Sequence, residues 1–133
     1  MDNFLKLRFE RSKTIRIRSE ISSSDKKSER VINLILDTGA DKTSLTSSIL
    51  KDLGYTQFLP QSKKILTAKG LSDISSVRIS QLVIGNQFRL SDMEIDVLDF
   101  DSTQTFDGVI GMDFISQVET HISGKDKTLT ITA

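Results

Sequence analysis

Apolar residues in this chain recur mostly at every second position, not at the 3.6-residue spacing of a helix. Leu5, Leu7 and Phe9 alternate with Lys6, Arg8 and Glu10, and Ile15 and Ile17 with Arg16 and Arg18. This is the pattern of strands with one buried face. Met93, Ile95 and Val97 repeat it around Glu94 and Asp96, and Thr128 to Thr132 closes the chain with it. Gly85-Asn86 is a strong turn signal inside a strand pair at Ser80 to Leu90. Lys63 to Val77 carries two short β-type runs around Ala68-Lys69-Gly70, a hairpin pattern. Val31 to Leu36 is nearly continuously apolar and is expected to be buried on both faces, whereas the Ser-rich Ser19 to Arg30 reads as a solvated loop or loose hairpin end. Helical spacing is confined to Ser47–Leu53, with Ser or Thr as caps and Gly54 as its stop, and to a turn or more at Asp113–Val118. The expectation is a mainly β protein, a small closed or sandwich-like barrel with one or two short helices.

A length of 133 residues predicts a single domain, 1–133, large enough to bury a core without staples. There is no Cys, so disulfide scaffolds, Cys-ligated zinc and thiol catalysis are excluded, and a reducing, cytoplasmic compartment is the fitting one. Eighteen basic and eighteen acidic residues cancel, so no nucleic-acid partner is expected. No apolar run exceeds three residues, which gives neither a signal peptide nor a membrane span. The balance is not local. Met1 to Arg18 is basic, and Asp92 to Gly124 has eight acidic residues and no Lys or Arg. Two solvated faces explain this, or two surfaces that meet between subunits.

The sharpest feature is Leu34-Ile35-Leu36-Asp37-Thr38-Gly39-Ala40-Asp41. A carboxylate follows directly on an apolar strand, with a hydroxyl residue and a Gly behind it. Gly lets the backbone approach the carboxylate and turn sharply, and Thr can lock the loop. That is how an acid is placed rigidly at the floor of a cleft. The tripeptide alone is weak, since it arises by chance in roughly one chain in twenty of this length. An Asp bonding its own backbone at a strand end gives the same three letters. The apolar run before it, Ala after it and the helix beyond supply the context.

In that context, Leu36 to Thr43 resembles the active-site loop of the retroviral-type aspartic proteases, the retropepsins, and their cellular and bacterial relatives. Val109-Ile110-Gly111-Met112-Asp113-Phe114 resembles the family's second landmark, two apolar residues and a Gly before the C-terminal helix. Ile65 to Val77 lies where the family places its flap hairpin. The resemblance runs in order from Val31 to the C-terminus. It implies a single-lobe acid-protease barrel and an aspartic endopeptidase acting on peptide or protein substrates. It also implies that Asp37, Thr38 and Gly39 are catalytic, with Thr38 cross-linking two loops. Ala40 and Asp41 would line the cleft, and Ala68, Lys69 and Gly70 would cover substrate from the flap. One position departs from the pattern: many members carry Arg after the second-landmark Gly to brace the acid four residues beyond the catalytic Asp, and here that position is Met112.

The chemistry makes a demand that one chain does not meet. Two carboxylates must share one proton. Asp107-Gly108 lacks the hydroxyl residue and precedes a strand, and Asp113 begins a helix. The second acid is therefore expected to be Asp37 of a second copy, at the two-fold axis of a homodimer. No cofactor or metal is implied. The alternative is a catalytically inactive dimerisation or peptide-binding module of the same fold. Other chemistries fare worse. His121 is the only His and lies in a terminal strand. The acidic run from Asp99 has Gln104 and Ile110 where a calcium loop needs Gly and Glu. Gly108 to Gly111 is followed by no Lys-Ser/Thr, so it is not a phosphate loop. The apolar stretches Phe4–Phe9 and Leu129–Ile131 read as terminal strands, which is where dimers of this family interlock.

Overall fold

The computed structural model describes residues 3–11, 13–67, 70–99 and 105–133. Of the expected flap residues, Ala68 and Lys69 lie outside the described residues. So does most of the acidic run after Asp99.

The described strands are β1 (Phe4–Arg8), β2 (Arg16–Ser22), β3 (Glu29–Leu36), β4 (Ser44–Leu45), β5 (Leu59–Thr67), β6 (Gly70–Ile84), β7 (Phe88–Val97), β8 (Gly108–Ile110), β9 (Glu119–Ser123) and β10 (Thr128–Thr132). Two short helices, α1 (Ser47–Asp52) and α2 (Met112–Ile115), interrupt them. The larger sheet runs β2-β3-β8-β4-β7-β6-β5, and a further pairing of β2 with β6 closes six of these strands into a barrel. β5 stays outside the ring as the second arm of a hairpin with β6. The chain is thus mainly β, a closed barrel with two short helices, as its alternation implies. Isoleucines and leucines fill the interior, with Ile17, Leu34, Leu45, Ile79, Ile95 and Ile110 fully buried.

Three expectations need correction. Val31–Leu36 is not buried on both faces: Ile32 and Leu34 enter the core, while Val31 is 44% exposed. The strand is a barrel stave, and a barrel has one inside. Ser19 to Arg30 is not one loop. Ser19–Ser22 belongs to β2, with Ser19 and Ser22 buried, and β3 resumes at Glu29. The ladder between β2 and β3 runs from Arg16↔Ile35 to Ser22↔Glu29, so serines sit inside a sheet whose backbone is already paired. The separate strands expected around residues 74–79 and 80–84 are one strand, the 15-residue β6. The helix at Ser47 does follow its signals, with Gly54 left-handed at φ 87° just past it. Its cap, however, comes from a distance: Asp99 Oδ1 accepts the Ser47 N–H at 2.9 Å and the Ser47 hydroxyl at 2.8 Å.

A smaller sheet, β1-β10-β9, joins the two ends of the chain. Leu5 opposes Ile131 and Leu7 opposes Leu129, and the two β10 residues are part of the same core as the barrel.

The root of the long hairpin is pegged by Tyr55. Its buried hydroxyl donates to Ser22 O at 2.7 Å and accepts the Ser80 N–H at 3.1 Å, and the Ser80 hydroxyl donates to Ser23 O at 3.0 Å. Removing that hydroxyl leaves two buried backbone groups without their partner. Tyr55→Phe is expected to cost about 1–3 kcal/mol. Urea unfolding should show a lower midpoint at unchanged slope.

Candidate active site

β8 lies between β3, to which it is parallel, and β4, to which it is antiparallel. The segment that joins β3 to β4 must therefore cross over the end of β8. That segment is the Asp37–Thr43 loop. It crosses directly above Gly111, where a Cβ would stand 2.5 Å from the Lys42 carbonyl carbon and 2.9 Å from Ala40 O. Only glycine permits this approach.

The crossing is held by backbone bonds on both sides. Asp37 N–H donates to Ile110 O at 3.0 Å, Met112 N–H to Ala40 O at 2.8 Å and Asp113 N–H to Asp41 O at 3.0 Å. Thr43 and Asp113 then lock it from the side. The Thr43 N–H donates to Asp113 Oδ2 and the Thr43 hydroxyl to Asp113 Oδ1, both at 2.9 Å. The Gly111 N–H donates to Thr43 Oγ1 at 3.2 Å. Thr43 is fully buried, so this exchange is shielded from water.

Asp37 stands at the end of β3, half-buried, and its Oδ1 accepts the Gly39 N–H at 2.9 Å. Ala40 N–H donates to Asp37 O at 3.2 Å and closes the turn. Thr38 and Gly39 are exposed at the crest, Ala40 is half-buried and Asp41 is exposed. The Asp41 carboxylate has no hydrogen-bond or ion-pair partner among the described residues, and Met112 bonds to the loop through its backbone N–H. Gly70 opens β6 with φ 104°, at the far end of the hairpin from its Tyr55-pegged root.

The other two candidate acids are occupied. Asp107 Oδ2 accepts the Asn33 N–H at 2.8 Å, and Asp113 holds Thr43 and the Phe114 N–H. Each ties a strand or loop in place. Thr43 and Asp113 are the structural residues that the sequence motif understates; their signal is a hydroxyl and a carboxylate at the closing edges of two motif segments.

Beside the loop, Lys42 Nζ lies 3.5 Å from Glu94 Oε2. The Ser76 hydroxyl first, and then Lys42, hold the Glu94 carboxyl below its usual range.

A family model described as aspartyl protease matches residues 24–114, more than half of the chain. No curated protein matches it. Among solved structures, a retropepsin-like aspartic protease from Rickettsia conorii superposes with a TM-score of 0.68 at 16% identity, covering 99% of this chain and 92% of that one. The EIAV protease in complex with the inhibitor HBY-793 gives a TM-score of 0.55 at 20% identity, covering 84% and 93%. At these identities the two likenesses speak for the fold. No helix among the described residues is long and apolar enough to cross a membrane.

The Thr43–Asp113 lock can be tested without any substrate. Thr43→Val keeps the shape but strips the buried Gly111 N–H of its acceptor. We expect a loss of about 1–3 kcal/mol in stability. In hydrogen exchange, the Gly111 and Met112 amides should lose more protection than those of β2.

Proposed function

The chain belongs to the aspartyl protease family, and from that premise we propose that residues 1–133 act as one domain, half of a homodimeric aspartic endopeptidase. The observation that carries this reading is the loop crossing. It presents one carboxylate, Asp37, at a fixed point at the end of β3, while Asp107 and Asp113 are engaged in structure. One such carboxylate is half of what peptide hydrolysis requires, and a two-fold axis supplies the other.

In the proposed mechanism the two Asp37 carboxyls share one proton. The ionised one takes a proton from water as its oxygen attacks the peptide carbonyl carbon. The protonated one gives its proton to the carbonyl oxygen, and a gem-diol forms. Collapse breaks the C–N bond as the amine nitrogen takes the proton of one carboxyl and a gem-diol hydroxyl returns its proton to the other carboxylate, so the acid and amine products leave with the shared proton restored. Thr38, exposed and next to Asp37, would link the two loops. Gly39, Ala40 and Asp41 would hold the extended peptide backbone, and Ala68, Lys69 and Gly70 would close over it. A reducing, cytoplasmic setting suits a chain without cysteine.

The terminal sheet supports the dimer. Its two open edges differ. β1 carries Lys6 and Arg8, which oppose self-pairing, while β9 (Glu119–Ser123) has no Lys or Arg and exposes 47% of Ile122. We propose that β9 faces its own copy.

Asp37→Asn should fold normally and lose hydrolysis of a peptide library by a factor on the order of 10²–10⁴ or more. Equal inertness of this variant and wild type while folded would reduce the fold to a peptide-binding module. In sedimentation, wild type is expected as a dimer and Ile122→Lys as a monomer with little activity.

A further inference from the structure

The terminal sheet carries cations along an open edge. Among the described strands β1 pairs with β10 alone, so its other side has no ladder. The bonds at the two ends of the pairing fix its phase: Phe9 N–H donates to Lys127 O at 3.0 Å, and Ala133 N–H to Asn3 O at 3.2 Å. In an antiparallel pair every second residue bonds across. Asn3, Leu5, Leu7 and Phe9 therefore face β10, and the backbone N–H and C=O groups of Phe4, Lys6 and Arg8 point to the open edge. The side chains of these three are exposed, whereas Leu5 and Leu7 on the other face are half-buried.

Lys6 and Arg8 join Lys125 and Lys127 of the β9–β10 turn around a groove of about 520 Å³, in which Asp126 is the one acid among the described residues. None of these four cations has an ion-pair partner among the described residues, although Arg30, Lys42 and Arg78 each face an acid. Blunting an edge against self-association needs no more than a charge or two. Phe4, 52% exposed, ends the row. On the opposite face a second groove, of about 400 Å³, runs beside Leu5 and Leu7.

We propose that the β1 edge docks an extended acidic segment of a partner protein, added as a fourth strand beside β1. Such a strand meets three demands at once. Its backbone takes the bonds that Phe4, Lys6 and Arg8 offer. Side chains on one of its faces stand about 7 Å apart, the spacing of Lys6 and Arg8, since both chains are extended. Acidic residues there pair with the two cations, and apolar residues between them lie toward Leu5 and Leu7. A second copy of β1 would set like charges against each other. A nucleic acid or a lipid surface would neutralise the cations and leave the edge backbone to water. Docking makes no use of Asp37, so its failure and the failure of peptide cleavage are separate outcomes.

The test uses Asp37→Asn, so that no probe is cut, and a labelled peptide with the core Val-Glu-Val-Glu-Val. Control peptides carry Gln or Lys in place of Glu, or N-methyl groups on the two Glu amides. We expect the Glu peptide to bind about tenfold or more tighter than each control, and to weaken as salt is raised. Hydrogen exchange at the Lys6 and Arg8 amides should slow when it binds. Adding Lys6→Glu and Arg8→Glu together should turn the preference toward the Lys peptide. No preference for the Glu peptide overturns the docking site. Equal binding of the N-methylated peptide, or binding without slower exchange at Lys6 and Arg8, overturns strand addition. A single-stranded oligonucleotide or phosphatidylserine vesicles that bind where the Glu peptide does not overturn it as well. So does protection of these two amides in the unliganded protein that is lost on dilution, because a second copy then fills the edge. If the charge-reversed protein fails to fold, the peptide series and the exchange pattern decide the matter alone.

Discussion

The rest of the structure depends on one backbone crossing. A strand inserted between the two ends of a loop forces that loop over its tip, and contact at the tip is backbone on backbone. Gly111 makes the approach possible, and the bonds from Asp37, Met112 and Asp113 make it stable. Ordering a seven-residue loop costs roughly 1–2 kcal/mol per residue in backbone entropy. Short loops that carry chemistry therefore need anchors at both ends and in the middle. Here β3 anchors one end, the Thr43–Asp113 lock the other, and Gly111 to Asp113 the middle. The crest, Thr38 and Gly39, is exposed, and it is held from within the loop by the bond from the Gly39 N–H to Asp37.

The barrel closes for the same reason that the hairpin is long. β6 serves twice: it pairs with β7 from Ser75 to Ile84 and with β2 over Leu82–Ile84 to seal the ring, and with β5 from Gly70 to Ser76. A single strand with two duties couples the hairpin to the barrel wall. Tyr55 fixes the point where one duty gives way to the other, at Ser80.

Much of this was legible. Alternation at Leu5–Phe9, Ile15–Ile17 and Met93–Val97 marks strands that exist, and Gly54 and Gly85-Asn86 mark their helix stop and turn. Asp37-Thr38-Gly39 and Val109-Ile110-Gly111 mark the two halves of the crossing. What escaped is non-local. β4 is two residues long, too short to carry a period, and exists because β7 and β8 offer it ladders on both sides. Asp99 caps α1 from 52 positions away. The apolar run at Val31 suggested burial on both faces because composition reports hydrophobicity but not the number of layers above it. Ser19 and Ser22 suggested solvent, because a serine whose neighbours already satisfy the backbone looks no different from a serine in a loop.

The same blindness hides buried polar residues outside the core. Asp96 alternates with Ile95 and Val97, where the pattern assigns it to water. In a simple sandwich that assignment would hold. Here it fails, because that face is covered as well: Asp96 is 8% exposed, Ser44 3% and Ser76 0%. Burial on the inner face is decided by packing, and leucine and isoleucine dominate there. On the outer face buried polar side chains can be held by partners of their own, as where the Ser76 hydroxyl donates to Glu94. Ser44, one residue past the Asp37 loop, has no partner for its hydroxyl among the described residues, so its place is set by the ladders on both sides of β4 and not by a side-chain bond.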